Sequence, residues 1–320
     1  MEHLYWYKPR PIVLRAKIEG LPDDHPSQCL FGLSRLLDQA GNYVESKQHL
    51  VHALEIWRER GRRHWVARAS ESLAITNRRL GLYKEWVPYA KEALEIWEQL
   101  DNEVAQSQCL CILAGLLHRD DQLGPAEEAV SQSIDLLQDK DQQHKICQSH
   151  RVLGEIHHSK GETETAINHF ETAIKIASSS NWHHQLSRTH YSLAVLFSDE
   201  HKHDSAHTHI EHAKSYATSI PHLLGCAMHL QALFLYNQRR LEEAKSEALG
   251  AAGVYEGIGA TTDVEDCRAL LRYIETEMEK SVTSDEPQTL DQDGYPIPEC
   301  RIHRCCYPSS VSFSRGLFLY

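Results

Sequence analysis

The sequence predicts an all-α protein, a solenoid of about six helix-turn-helix repeats closed by a C-terminal capping helix. Three observations predict it. The first is a period of 40 residues. It spaces Gly41, Gly81, Asp121, Gly161 and His201, then Leu33, Leu73, Leu113, Leu153 and Leu193, then Ala53, Ala93, Ser133, Ala173 and Ala213. A fixed period of this size marks stacked supersecondary units in place of one globular core. The second is that apolar residues inside each period recur at helical spacing. The third is composition: six Phe and sixteen Gly in 320 residues suit an alanine- and leucine-rich helical array better than a β-rich domain.

Residues 1–26 hold Tyr5, Trp6, Tyr7 and four prolines without a clean helical period, which predicts an irregular segment. The repeats follow from residue 27. The fourth shows their plan best: Ile146, Leu153, Ile156 and His157 line one stripe of a first helix. Ala166, Ile167, Phe170, Ala173 and Ile174 give the second helix its i, i+3, i+4, i+7 face. Gly161 stands between them, where a helix ends at positive φ and Gly has no Cβ to object. Asp121 and His201 take that place in the neighbouring repeats, and both residue types tolerate the left-handed region. Small residues after the periodic leucine (Ser34, Ala74, Ala114, Gly154, Ala194) let paired helices approach closely. In the sixth unit Ala244, Ala248 and Ala251 arrive two residues early, which predicts a shortened connection. Val264–Glu279 reads as an amphipathic cap, so the array is expected over 27–279. Ser, Pro, Asp and Gln dominate 280–320, which predicts a disordered tail.

Leu153, Gly154, His157, Gly161, Ala166, Phe170 and Ala173 fall at the spacing of the tetratricopeptide repeat, with His157 where that family usually has an aromatic. The chain resembles that family over roughly residues 27–256, in a long variant of the usual unit of about 34 residues. It also resembles the C-terminal repeat arms of fungal signalling NTPases of the NACHT or NB-ARC type, in phrases such as Glu19-Gly20-Leu21-Pro22. The resemblance implies a right-handed superhelix whose first helices line a concave groove. It also implies a protein-interaction scaffold, free-standing or serving as the sensor arm of a larger regulator.

Thirty-three basic against 45 acidic residues give a net charge of −12, which argues against nucleic-acid and anionic-membrane partners. No stretch approaches the roughly 18 consecutive apolar residues of a membrane span. The first residues lack an apolar signal core, and the nine cysteines lie mostly singly along helices, so a cytoplasmic protein is expected. Phosphate-loop, dinucleotide, nucleophile-elbow and zinc-protease motifs are absent. The expectation is therefore no enzyme and no cofactor.

By analogy with the family's groove, first-helix positions around the small residue offer Arg35, Arg68, Arg78, Gln108, His118, Gln148, Arg151, His158, Arg188 and Tyr191 as partner-binding residues. Arginine forks suit carboxylates, so an acidic peptide or protein segment is the expected ligand. The alternative is that these arginines pair with neighbouring Asp38, Glu71 and Glu155 and leave a neutral face. A second class of function, metal or small-ligand binding, rests on His201, His203, His207, His209 and His212. They lack acidic or cysteine partners in a fixed pattern and are expected to be solvated surface, so no metal ligand is assigned. Cys300, His303, Cys305 and Cys306 have zinc-type chemistry without the paired spacing of a zinc ribbon. Cys109 and Cys111 point to different faces of one helix and read as packing residues.

Overall fold

A computed structural model of the chain describes residues 25–39, 42–80, 86–138 and 140–283. Thirteen α-helices and no strand occur among them. They fall into two compact units, one ending at Asn102 and one beginning at Glu103. The first unit holds α1 (His25–Gln39), α2 (Tyr43–Glu59), α3 (Arg63–Leu80) and α4 (Val87–Gln99). The second holds four helix pairs and a final helix. The pairs are α5 (Glu103–Arg119) with α6 (Leu123–Asp135), α7 (Gln143–Ser159) with α8 (Thr163–Ser179), α9 (His183–Asp199) with α10 (His203–Ala217), and α11 (Pro221–Asn237) with α12 (Leu241–Ile258). The final helix is α13 (Thr261–Thr283).

The turns behave as the period predicts. Asp121, Gly161 and His201 have φ of 58°, 78° and 56°, and Arg239 takes the same role in the shortened sixth unit with φ 59°. At each, the next residue's N–H reaches back to a carbonyl five residues earlier, as in Glu162 N–H to His157 O at 2.9 Å and Lys202 N–H to Phe197 O at 2.8 Å. This closes the orphan carbonyls of the preceding helix. Gly41 and Gly81 lie outside the described residues. A second set of left-handed residues joins one repeat to the next: Gly61, Asp101, Asn181 and Gly259. The sequence reading did not single these out, although the first three also sit on the 40-residue grid.

The predicted irregular segment gives way to helix two residues early. His25 and Pro26 open α1, where a proline in the first turn lacks only an N–H that has no intrahelical acceptor. At the other end α13 contains the expected cap and runs past Glu279 to Thr283, with Lys280 bonded to Glu277 in its last turn. The remainder of the predicted N-terminal segment and of the tail, including Cys300, His303, Cys305 and Cys306, lies outside the described residues.

In the first unit the core is aromatic. Trp57 stacks on Trp65 at 5.1 Å, and Phe31 meets both edge-on. In the second unit each helix packs on the next, and first helices also touch first helices: α5 with α7, α7 with α9, α9 with α11. Ala166, Ala173, Ala206, Ala213, Ala244 and Ala251 are fully buried in the second helices, as close stacking requires. No described helix is long and apolar enough to cross a membrane.

Candidate functional site

The first helices of the second unit carry a buried polar network at the positions expected to line a groove. Glu155 of α7 is its hub. Residues 151 and 155 are one helical turn apart, so the Arg151 guanidinium on the same face bonds its carboxylate directly. From α9, Ser192 Oγ donates to Glu155 Oε1 at 2.9 Å, and Arg188 stands close enough to act on its charge. From α5, His118 does the same. Burial alone would raise the Glu155 carboxyl; Arg151, His118, Arg188 and the Ser192 hydroxyl override it and hold it below the ordinary carboxylate range. Both members of the pair are almost wholly enclosed, Arg151 being 2% exposed and Glu155 5%.

His118 acts on Glu155 only in its protonated form and is uncharged near neutral pH. Burial pushes its imidazole down to about 4, against the opposing pull of Glu155, and its Nε2 lies 2.8 Å from Ser159 Oγ. His158 of α7 is half-buried with Nε2 3.2 Å from Asp199 Oδ2. Gln108 accepts a bond from Lys145 Nζ at 2.6 Å, joining α5 to α7. Gln148, Arg188 and Tyr191 are half-buried, and Tyr191 packs against the core formed by Cys226, Tyr255 and Val264. The structure therefore brings His118, Arg151 and Arg188 together across three helices around one carboxylate. It places Arg151 inside, engaged by Glu155, as the alternative pairing anticipated.

In the first unit Asp38 accepts from Thr76 Oγ1 at 2.8 Å, and Glu71 accepts from Trp97 Nε1 at 2.8 Å. Arg68 lies over the rings of Phe31 and Trp65, 5.7 Å from each centroid, so its cation covers the aromatic core. Arg35 is exposed, and the side chain of Arg78 lies outside the described residues. Sequence reasoning missed Ser192, which sits between the groove rows it tracked. It also missed the pairing of His150 with His169 and of His190 with His209. The two pairs are offset by 40 residues, so the repeat marks equivalent positions without showing that the rings meet.

The stacked helix pairs define the class: an all-α helical-repeat protein. Residues 152–180, from the middle of α7 through α8, match the family model for the tetratricopeptide repeat. Among solved structures the chain is similar to a Rap protein complexed with Competence and Sporulation Factor, with TM-score 0.61 and 16% identity over 83% of this chain and 79% of that one. It is similar to aspartyl phosphate phosphatase F from Bacillus subtilis, with TM-score 0.54 and 15% identity over 92% and 79%. A third is the Signal Transduction ATPase with Numerous Domains carrying a tetratricopeptide repeat sensor, from Pyrococcus horikoshii, with TM-score 0.54 and 15% identity over 85% of this chain and 45% of that one. No curated protein matches the sequence. At these identities the likeness shows the fold.

Proposed function

We propose that the chain is a non-catalytic interaction scaffold whose second unit holds an acidic peptide or protein segment against the first helices α5, α7 and α9. One observation carries this reading: a buried, hydrogen-bonded charge network underlies the row of half-buried Gln148, Arg188 and Tyr191. Such a network fixes side chains that would otherwise be mobile, and a preorganised face loses less entropy on binding. Arg151 serves by holding Glu155 in place, and Arg188, less enclosed, is the arginine that meets the partner. The similar ATPase whose repeats act as a sensor favours a second reading, in which this array is the sensing arm of a larger signalling protein. None of the six described cysteines is in a disulfide, which suits a cytoplasmic setting.

The test is a titration of the full chain with a panel of fluorescent peptides ending in one to four Asp or Glu residues, at low and high salt. Arg188→Gln should weaken binding by about tenfold or more, the size of one charge-assisted hydrogen bond, and salt should weaken it further. Arg35→Gln, in the first unit, is the control and should change nothing. Equal binding by wild type and Arg188→Gln would remove α9 from the interface and end this reading of the groove.

A further inference from the structure

Histidines meet in the second unit in a way that their spacing in the sequence does not show. His209 and His212 are i and i+3 on α10, which puts them on one face. The third imidazole, His190, comes from the partner helix α9, and its Nδ1 is 2.9 Å from Nδ1 of His209. One nitrogen from each of the three rings lies within 4.8 Å of the others. We propose that His190, His209 and His212 form a binding site for a divalent transition-metal ion of the zinc class.

The residue types fit. Zinc takes neutral imidazole nitrogens at about 2.0–2.1 Å, which sets tetrahedral ligand atoms roughly 3.4 Å apart. The three nitrogens lie within 4.8 Å of one another, close to that spacing, and His212, being exposed, can rotate to adjust it. The other two rings are already oriented. Tyr216 stacks on His190 at 5.7 Å with 11° between planes, and Phe197 stacks on His209 at 5.2 Å with 16°. His190 is buried and His212 faces solvent, so an ion would be gripped from inside and would keep one position for water.

The chain contains its own comparison. Forty residues earlier, His150 and His169 repeat the Nδ1 contact at 3.1 Å, but the place of His212 is taken by Thr172, whose hydroxyl is bonded to the carbonyl of Asn168. Repeat four has a third imidazole, His157, but it stacks on His169 at 5.2 Å with its nitrogens towards Glu162 and Glu127, so among the described residues three imidazole nitrogens converge only in repeat five. The imidazole set selects ions such as Zn²⁺, Ni²⁺ or Cu²⁺ over oxygen-seeking Ca²⁺ or Mg²⁺.

The experiment titrates the metal-free full chain with Co²⁺, read by its visible absorption, and with Zn²⁺, read by calorimetry. Wild type is expected to bind one equivalent that His212→Asn holds at least about tenfold more weakly. Losing a ligand should cost no less than losing an outer-shell partner does. His212 is exposed, so the variant should fold normally, and circular dichroism checks this. His169→Asn, in repeat four, should leave the equivalent intact. If His212→Asn titrates like wild type, or if His169→Asn loses the same equivalent, the ion is held elsewhere and the proposed site is wrong.

Discussion

In repeat four Gly154 of α7 lies against Phe170 of α8, and in repeat five Ala194 of α9 shares a core cluster with Ile210 of α10. The positions correspond at the 40-residue spacing, and the two members of each pair change size in opposite directions. A Cβ on Gly154 would stand 2.6 Å from the Phe170 ring. The same exchange runs through the polar contacts. The Cys147 thiol meets the carbonyl of Ala173 at 3.3 Å where the Ser187 hydroxyl meets that of Ala213 at 2.9 Å. Repeat four fills its inner face with Arg151 and Glu155, and repeat five puts Tyr191 and Val195 at the same places. Two neighbouring units thus keep one backbone plan with different fillings, because contacts are closed within a repeat and with its neighbours.

The largest expected effect tests the ionic filling. Arg151→Ala leaves a carboxylate that is 5% exposed without its nearest counter-charge, and should cost about 3–5 kcal/mol. Installing the repeat-five residues together, as Arg151→Tyr with Glu155→Val, removes both charges and should come within about 1 kcal/mol of wild type. Urea midpoints of the three proteins decide it. A double variant as unstable as the single one would mean that the fillings are not interchangeable.

The size exchange is the next test. Gly154→Ala gains helix propensity, but it drives a methyl into a rigid, fully buried ring, so a net loss of about 1–3 kcal/mol is expected. Adding Phe170→Ile recreates the repeat-five pair and should recover more than half of the loss. Hydrogen exchange across 143–179 would locate the effect in α7 and α8. No recovery would show that the ring has partners beyond Gly154 that outweigh this clash.

The smallest expected effect concerns pH. Burial, then the charges of His150 and His157, hold His169 down to about 4, and burial does the same for His118. A histidine that binds its proton more weakly in the fold than the ordinary 6.5 stabilises the fold fully above pH 6.5. That contribution is lost as pH falls towards 4, because the unfolded chain takes up protons that the folded one refuses. The melting temperature should therefore fall between pH 6.5 and 4, and His169→Asn should make the fall shallower. An unchanged slope in that variant would mean that repeat four admits the proton without strain.

The sequence alone determined what is local. The 40-residue grid located the helices and the turns, since a residue that tolerates positive φ leaves the same mark wherever the chain reverses: Asp121, Gly161 and His201 all sit at such turns. The small residues of the first and second helices were legible for the same reason, because i, i+3, i+4 spacing is a property of one helix at a time. The tertiary structure decided which polar groups meet. Arg151 looked like a groove arginine, and it turns inward because neighbouring first helices cover the face it shares with Glu155. His209 and His212 looked like solvated surface, and they acquire a third imidazole only because α9 packs on α10 and carries His190 to them. Periodicity reports which side of a helix is apolar, while the encounter of side chains from different helices depends on packing distances that no spacing along the chain records.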